Sequence, residues 1–167
     1  RQFGLGQAEI GAPTAIVYAL AAIGALTSGV LFPVLLSKGM TANGARKSSM
    51  FFYALLILPI PLALQAPNEW IAALIIGLAL FAHQGFSTNI FGMSADIIPA
   101  KQVGSVIAIG ALAGNLSGAA MLEFAGWSLD SGYGYTPMFA ICASAYLLAL
   151  SWIHIMQPKL MVANDSD

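Results

Sequence analysis

Apolar residues fill five long stretches of the chain, and short polar connectors separate them. A helix needs about 20 mostly apolar residues to cross the hydrocarbon core of a bilayer. The second stretch is short and contains Pro59 and Pro61, so we expect that helix to bend. The pattern predicts an all-α membrane protein with five transmembrane helices, over residues 12–36, 49–66, 70–94, 102–125 and 134–156, followed by a tail over 157–167.

Composition supports a membrane environment. Hydrophobic residues make up 59% of the chain and charged residues only 8%, whereas a soluble domain contains about 25% charged residues. So few charges cannot cover the surface of a soluble domain of this size. The net charge of −1 gives no indication of a nucleic-acid partner.

The residue types argue against catalysis and against a bound metal. Cys142 is the single cysteine, which excludes an internal disulfide and a cysteine-built metal site. A zinc site needs three or four ligands, and the two histidines, His83 and His154, lie at different depths. His83 and Ser87 could touch as an i, i+4 pair, but no third group would orient the imidazole. We therefore expect no enzyme activity, no metal and no cofactor.

Lysine and arginine predict the direction of the helices. Apart from Arg1, which breaks the pattern, they lie after the first span, after the third span and in the tail, at Lys38, Arg46, Lys47, Lys101 and Lys159. Because cytoplasmic loops are enriched in these residues, we expect the N-terminus of the chain outside and its C-terminus in the cytoplasm. We expect a multi-pass protein of the cell's inner (plasma) membrane.

A polar segment, FAHQGFSTN at residues 81–89, continues the apolar third span without a break. At helical spacing His83 and Ser87 share one stripe, Gln84 and Thr88 form the adjacent stripe, and Asn89 points elsewhere. Polar groups at this depth are costly unless they bond to other helices or face a watery cavity. Their number exceeds what one packing contact requires, which favours a substrate or ion pathway over interhelical hydrogen bonds alone.

Small residues form strips on the first and fourth spans. They include Gly110, Gly114 and Gly118, spaced by four in the fourth span, and Gly29 in the first. Such strips let helix backbones approach closely in a bilayer, so we predict that these four glycines pack against other helices. A non-transporting assembly subunit would also use glycine strips, but it would not explain the polar stripe.

Three segments resemble the anion:cation symporter branch of the major facilitator superfamily, especially its hexuronate transporters. They are FGLGQAEIGAPTAIVYALAAIGALTSG, LLSKGMTANGARKSSM and GWSLDSGYGYTPMF. The resemblance implies that the five spans correspond to helices eight to twelve of a twelve-helix fold. The chain would then be part of the C-terminal six-helix half, and its partner would be the missing N-terminal half of the same transporter.

The resemblance further implies proton-coupled uptake of a sugar acid, such as glucuronate or galacturonate, by alternating access. Another organic anion remains an alternative substrate. His83, Gln84, Ser87 and Thr88 would line the substrate cavity and bond to sugar hydroxyls. Asn115 joins them because related transporters place an asparagine near this part of helix eleven.

The connector after the first span resembles the cytoplasmic loop motif of the superfamily. Its basic residues include Arg46 and Lys47. Asp96 lies at the inner end of the third span, on the same predicted side of the membrane. We therefore expect Asp96 to pair with Arg46 or Lys47 as a cytoplasmic gate.

Overall fold

A computed structural model of the chain describes residues 3, 4 and 6–160, so the part of the predicted tail over 161–167 lies outside the described residues. The described part contains one short 3-10 helix, five α-helices and no strand. All five helices are long and apolar enough to cross a membrane, the second together with the 3-10 helix. This confirms the predicted all-α fold. The α-helices are α1 (Gln7–Ser37), α2 (Ala42–Ile57), α3 (Glu69–Ile97), α4 (Ala100–Asp130) and α5 (Thr136–Met156), and the 3-10 helix is Ile60–Gln65.

Local chemistry accounts for where the helices begin and end. Thr41 and Asn68 cap α2 and α3, because their side-chain oxygens accept backbone N–H bonds from the first turn at 3.1 and 3.0 Å. Gly39 follows α1 with φ of +86°, a left-handed conformation that suits glycine. Helix α2 ends at Ile57, and Pro59 is the N-cap of the 3-10 helix that follows, because proline cannot continue the α-helical hydrogen bonds.

Helix α3 lies at the centre of the fold and makes its most extensive contact with α1. Glycines allow the backbones to approach, at Gly24 of α1 and at Gly77 and Gly85 of α3. A Cβ atom at Gly24 would overlap the backbone of Phe81, and one at Gly85 would overlap the ring of Tyr53. The core is formed by buried apolar side chains of α2, the 3-10 helix and α3, against which α5 packs: Met50, Tyr53, Ala54, Ile57, Ile60, Ala79, Ala82 and Phe86.

Helix α4 stands largely apart from the other helices. Ser128 is the one buried residue of α4, and this helix touches α3 and α5 only slightly. A Cβ atom at Gly110, Gly114, Gly118 or Gly29 would have no described atom within 4 Å. These four glycines therefore contact no other helix within the described chain, where Gly24, Gly77 and Gly85 make the close approaches. That they pack against helices beyond this chain stays a prediction.

The two ends of the helix bundle differ in chemistry. At one end the first turns of α2 meet the last turns of α3 and α5, and the backbone N–H of Leu160 donates to Asn43 Oδ1 at 3.2 Å. The opposite end carries aromatic residues, with Trp127 packed against Phe124 and Tyr133. The basic residues of α2 and the aromatic residues thus lie at opposite ends. Which end faces the cytoplasm stays a prediction.

Candidate functional site

His83 projects from the exposed side of α3 and contacts α5. Its Nδ1 lies 2.6 Å from the hydroxyl oxygen of Tyr146, and the two rings meet edge to face. The ring of Tyr146 also packs edge to face on the buried Phe86. This hydrogen bond joins α3 to α5. Tyr146 has no distinguishing signal in the sequence, because it lies in an apolar run with no polar periodicity.

The other predicted cavity residues of α3 lie around the same part of the helix. Gln84, Ser87 and Thr88 are half-buried. The hydroxyl of Thr88 donates to the backbone oxygen of Gln84 at 2.8 Å, so its proton is used within the helix while its oxygen can still accept. The structure thus places His83, Gln84, Ser87 and Thr88 on one stretch of α3.

Asn115 lies on the exposed surface of α4, and its side chain bonds within that helix rather than to the polar residues of α3. Its Nδ2 donates to the backbone oxygen of Ala111 at 2.8 Å, within the same helix. In the part of the chain that the structure describes, it makes no hydrogen bond to the polar side chains of α3. The structure therefore does not bring Asn115 into a common hydrogen-bonded site with them.

Asn89 is fully buried at the junction of α1, α2 and α3. Its Nδ2 lies within hydrogen-bond distance of three acceptors, Ser28 Oγ at 2.8 Å, Ser49 Oγ at 3.0 Å and the backbone oxygen of Gly85 at 2.9 Å, and its two hydrogens are shared among them. Its Oδ1 has no hydrogen-bond partner among the described residues. This amide joins three helices through one side chain. The sequence signal for Asn89 is its position four residues after Gly85 and twelve after Gly77, which places the three residues on one face of α3.

A second polar contact joins these three helices near one end. Arg46 Nε donates to Asp96 Oδ2 at 2.8 Å, and the guanidinium lies 3.6 Å from the centre of the Phe32 ring. A side chain at Gly92 would collide with that guanidinium, so glycine leaves the space that Arg46 occupies. The Arg46 and Asp96 side chains are 13% and 30% exposed. Of the two predicted partners, Asp96 therefore pairs with Arg46.

Lys47 points in another direction and does not pair with Asp96. Its Nζ donates to the backbone oxygens of Gln157 and Pro158 at 2.6 and 2.9 Å and lies 3.4 Å from His154 Nδ1. Neighbouring residues of a helix point about 100° apart, so Arg46 and Lys47 cannot both face α3. Lys47 instead binds the carbonyl end of α5, where a cation is favoured.

Among residues 3, 4 and 6–160, no three His, Cys, Asp or Glu side chains are grouped closely enough to hold an ion. The polar side chains of α3 over residues 83–88 are an imidazole, an amide and two hydroxyls, which are uncharged when the imidazole is neutral. They can exchange hydrogen bonds with a hydroxyl-rich ligand.

No protein-family model matches this chain. Over 151 residues it is 27% identical to the D-galactonate transporter of Escherichia coli O6:H1 strain CFT073. The match covers 90% of this chain and 35% of that protein, so the chain spans about a third of the length of the curated relative it matches. The chain is therefore similar to a transporter over most of its length, which agrees with five helices able to span a membrane.

Proposed function

We propose that this chain forms part of a secondary transporter for sugar acids and corresponds to helices eight to twelve of a major facilitator fold. The similarity to a D-galactonate transporter across 90% of the chain carries this proposal. Galactonate and the hexuronates glucuronate and galacturonate share a carboxylate and a row of hydroxyl groups. Both kinds of sugar acid are therefore candidate substrates, taken up together with protons.

The polar stretch of α3 is the proposed wall of the substrate cavity. Gln84 can donate and accept hydrogen bonds, Ser87 can do the same through its hydroxyl, and Thr88 keeps acceptor capacity. His83 lies at the edge of this surface, with Tyr146 beside it at 2.6 Å. These groups suit the hydroxyls of a sugar acid. Asn115 would join them only if α4 packs closer in the complete transporter.

The carboxylate of the substrate needs a cation. No lysine or arginine lies at the middle of the five helices, since Arg46, Lys47 and Lys101 lie in the first two turns of their helices. The cation, and the acids that carry the proton, are therefore assigned to helices that precede this chain in the complete transporter. Alternating access would then move the two halves about a site near the midplane.

The exposed glycines are assigned to the contact between the two halves. Gly110, Gly114 and Gly118 lie on an almost fully exposed helix, and Gly29 lies on an exposed part of α1. Small residues of this kind usually mark places where another helix packs closely. At one end of the bundle, the Arg46–Asp96 pair is proposed to act as the cytoplasmic gate, while Lys47 fixes α5 beside it.

Uptake of radiolabelled sugar acids tests the proposal. Cells that express the complete gene encoding this chain should accumulate galactonate or a hexuronate, and a protonophore should abolish the accumulation. Galactose, which lacks the carboxylate, should not be accumulated. Cells that take up neither class of sugar acid above the empty-vector level would contradict the proposal.

Two variants test the role of α3 in the same assay. Ser87→Ala and Gln84→Ala should each raise the apparent KM about two- to ten-fold, the effect of one lost hydrogen bond. Ser144→Ala is the matched control, because this exposed hydroxyl of α5 donates only to the backbone of its own helix. An unchanged KM in both α3 variants would show that the substrate does not bind at this surface.

A further inference from the structure

A groove of about 490 Å³ runs between α2 and α5, outside the polar stretch of α3. It opens on the outer surface of the two helices, where Phe51 and Ile155 are 49% and 68% exposed. If α2 and α5 lie in a bilayer, this surface meets lipid. The residues that line the groove are Lys47, Ser48, Phe51, Leu150, Ser151, His154 and Ile155.

The groove is polar at one end and apolar along its walls. Lys47 lies in the second turn of α2 and His154 in the last turn of α5, at the end that would meet water or lipid headgroups in a bilayer. One helical turn deeper, Phe51 of α2 and Leu150 of α5 supply apolar walls. Of the seven lining residues, Lys47 is a cation and none is a carboxylate. This distribution matches a molecule with an anionic head and an apolar chain.

The ammonium of Lys47 is held in place for such a head. Two of its hydrogens go to the backbone oxygens of Gln157 and Pro158, at 2.6 and 2.9 Å. The third is directed at His154 Nδ1 over 3.4 Å, the longest of the three contacts. Because an ammonium can only donate, Nδ1 must accept, and the ring hydrogen is then on Nε2. An anion at this end of the groove would be attracted by the charge of Lys47 and could accept the Nε2 hydrogen of His154.

We propose that the groove between α2 and α5 binds an anionic phospholipid, with its phosphate at Lys47 and His154 and one acyl chain along Phe51, Leu150 and Ile155. A membrane protein commonly binds such lipids where basic residues meet apolar grooves at the end of its helices. This site lies apart from the proposed substrate surface. The proposal needs α2 and α5 to lie in a bilayer, and it does not depend on which solute is transported.

Tryptophan quenching by brominated lipids tests the proposal. Trp152 lies on α5 next to Ser151, and the chain has two other tryptophans, Trp70 and Trp127. With Trp70→Phe and Trp127→Phe, Trp152 becomes the single reporter. The purified chain is reconstituted in phosphatidylcholine vesicles and titrated with brominated phosphatidylglycerol or brominated phosphatidylcholine. The anionic lipid should associate about five-fold more strongly than the neutral one, the effect of one lysine near a headgroup.

Matched variants distinguish a specific lipid site in the groove from general attraction between anionic lipids and basic residues. Lys47→Gln should abolish the preference for the anionic lipid, whereas Lys47→Arg and Lys101→Gln should keep it, because Lys101 is exposed on α4. Ser151→Phe should also abolish it, by filling the groove while leaving Lys47 in place. This second variant decides the matter if Lys47→Gln loses helix content by circular dichroism.

Three results would overturn the proposal. Equal quenching by both lipids in the protein with Lys47 would show that no anionic head is selected. An equal loss of preference in Lys101→Gln and Lys47→Gln would show only general surface attraction. Quenching by both lipids that falls as protein density rises in the vesicles would show that a second copy of the chain covers the groove.

Discussion

At the scale of single residues, the polar segment of α3 divides into two groups with different surroundings. His83 is exposed and bonds to Tyr146, whereas Asn89 is fully buried and bonds to Ser28 and Ser49. Helical periodicity predicted that these two side chains point in different directions. It could not predict their partners, because those lie on other helices and tens of residues away along the chain.

Asn89→Ala tests the buried amide. It removes the donor that serves two serine hydroxyls and the backbone oxygen of Gly85, so the free energy of unfolding should fall by about 1–3 kcal/mol. Unfolding of the purified chain in detergent, followed by circular dichroism, measures the change. Asn115→Ala is the control, because that amide is exposed and bonds only within α4; its effect should stay within about 0.5 kcal/mol. Equal losses of unfolding free energy in the two variants would show that the buried hydrogen bonds of Asn89 add no stability beyond that of an exposed amide.

At the scale of elements, glycine spacing identified helices with narrow faces but not the helices that meet them. The regular repeat of Gly110, Gly114 and Gly118 predicted a packed face on α4. Within the described chain, however, the close approaches involve Gly24 and Gly85. Spacing depends on one helix alone, whereas packing depends on which neighbours the fold supplies. The sequence therefore predicted the number of helices and their type, but not which glycines lie between them.

Gly85→Leu and Gly114→Leu should behave differently for this reason. At Gly85 even a Cβ atom overlaps Tyr53, so leucine should separate α2 from α3 and destabilise the chain by about 1–3 kcal/mol or more. At Gly114 nothing in the described chain is close, so the isolated chain should unfold as the wild type does. In the complete transporter proposed above, Gly114→Leu should lower folded yield or uptake. Wild-type yield and uptake there would show that the glycine strip faces lipid.

The link between α2 and α3 can be measured as a coupling energy. Arg46→Gln and Asp96→Asn remove the two partners of the 2.8 Å ion pair. Their effects on unfolding and on uptake should be non-additive, by about 0.5–3 kcal/mol for groups in direct contact. Lys47→Gln combined with Asp96→Asn is the control pair and should be additive, because Lys47 bonds to the end of α5. Additive effects for Arg46 and Asp96 in uptake would exclude the proposed gate.

At the scale of the whole molecule, the sequence predicted the fold class and the number of membrane-spanning helices better than it predicted how those helices pack. Five apolar stretches and few charges were sufficient for the all-α fold, because a bilayer restricts spanning segments to a small set of structures. The basic residues Arg46 and Lys47 indeed lie at one end, and each binds a neighbouring helix there. The isolation of α4 could not be predicted, since its sequence resembles that of a packed helix.

That isolation bears on what the chain can do without further helices. A secondary transporter needs two halves that enclose a site, and the polar stretch of α3 is half-enclosed at most in this chain. The carboxylate of the proposed sugar-acid substrate also has no cation at this depth, because the basic side chains lie near helix ends or in connectors. A second copy of the same chain would supply the same neutral groups and would still lack the cation.

We therefore expect the chain alone not to transport. The purified chain, reconstituted in liposomes with an inward proton gradient, should take up labelled glucuronate or galactonate no faster than empty liposomes do. The complete gene product should do so under the same conditions, which controls for the vesicles and the gradient. Uptake by the chain alone that a protonophore abolishes would contradict the assignment to part of a transporter, because five helices would then suffice for alternating access.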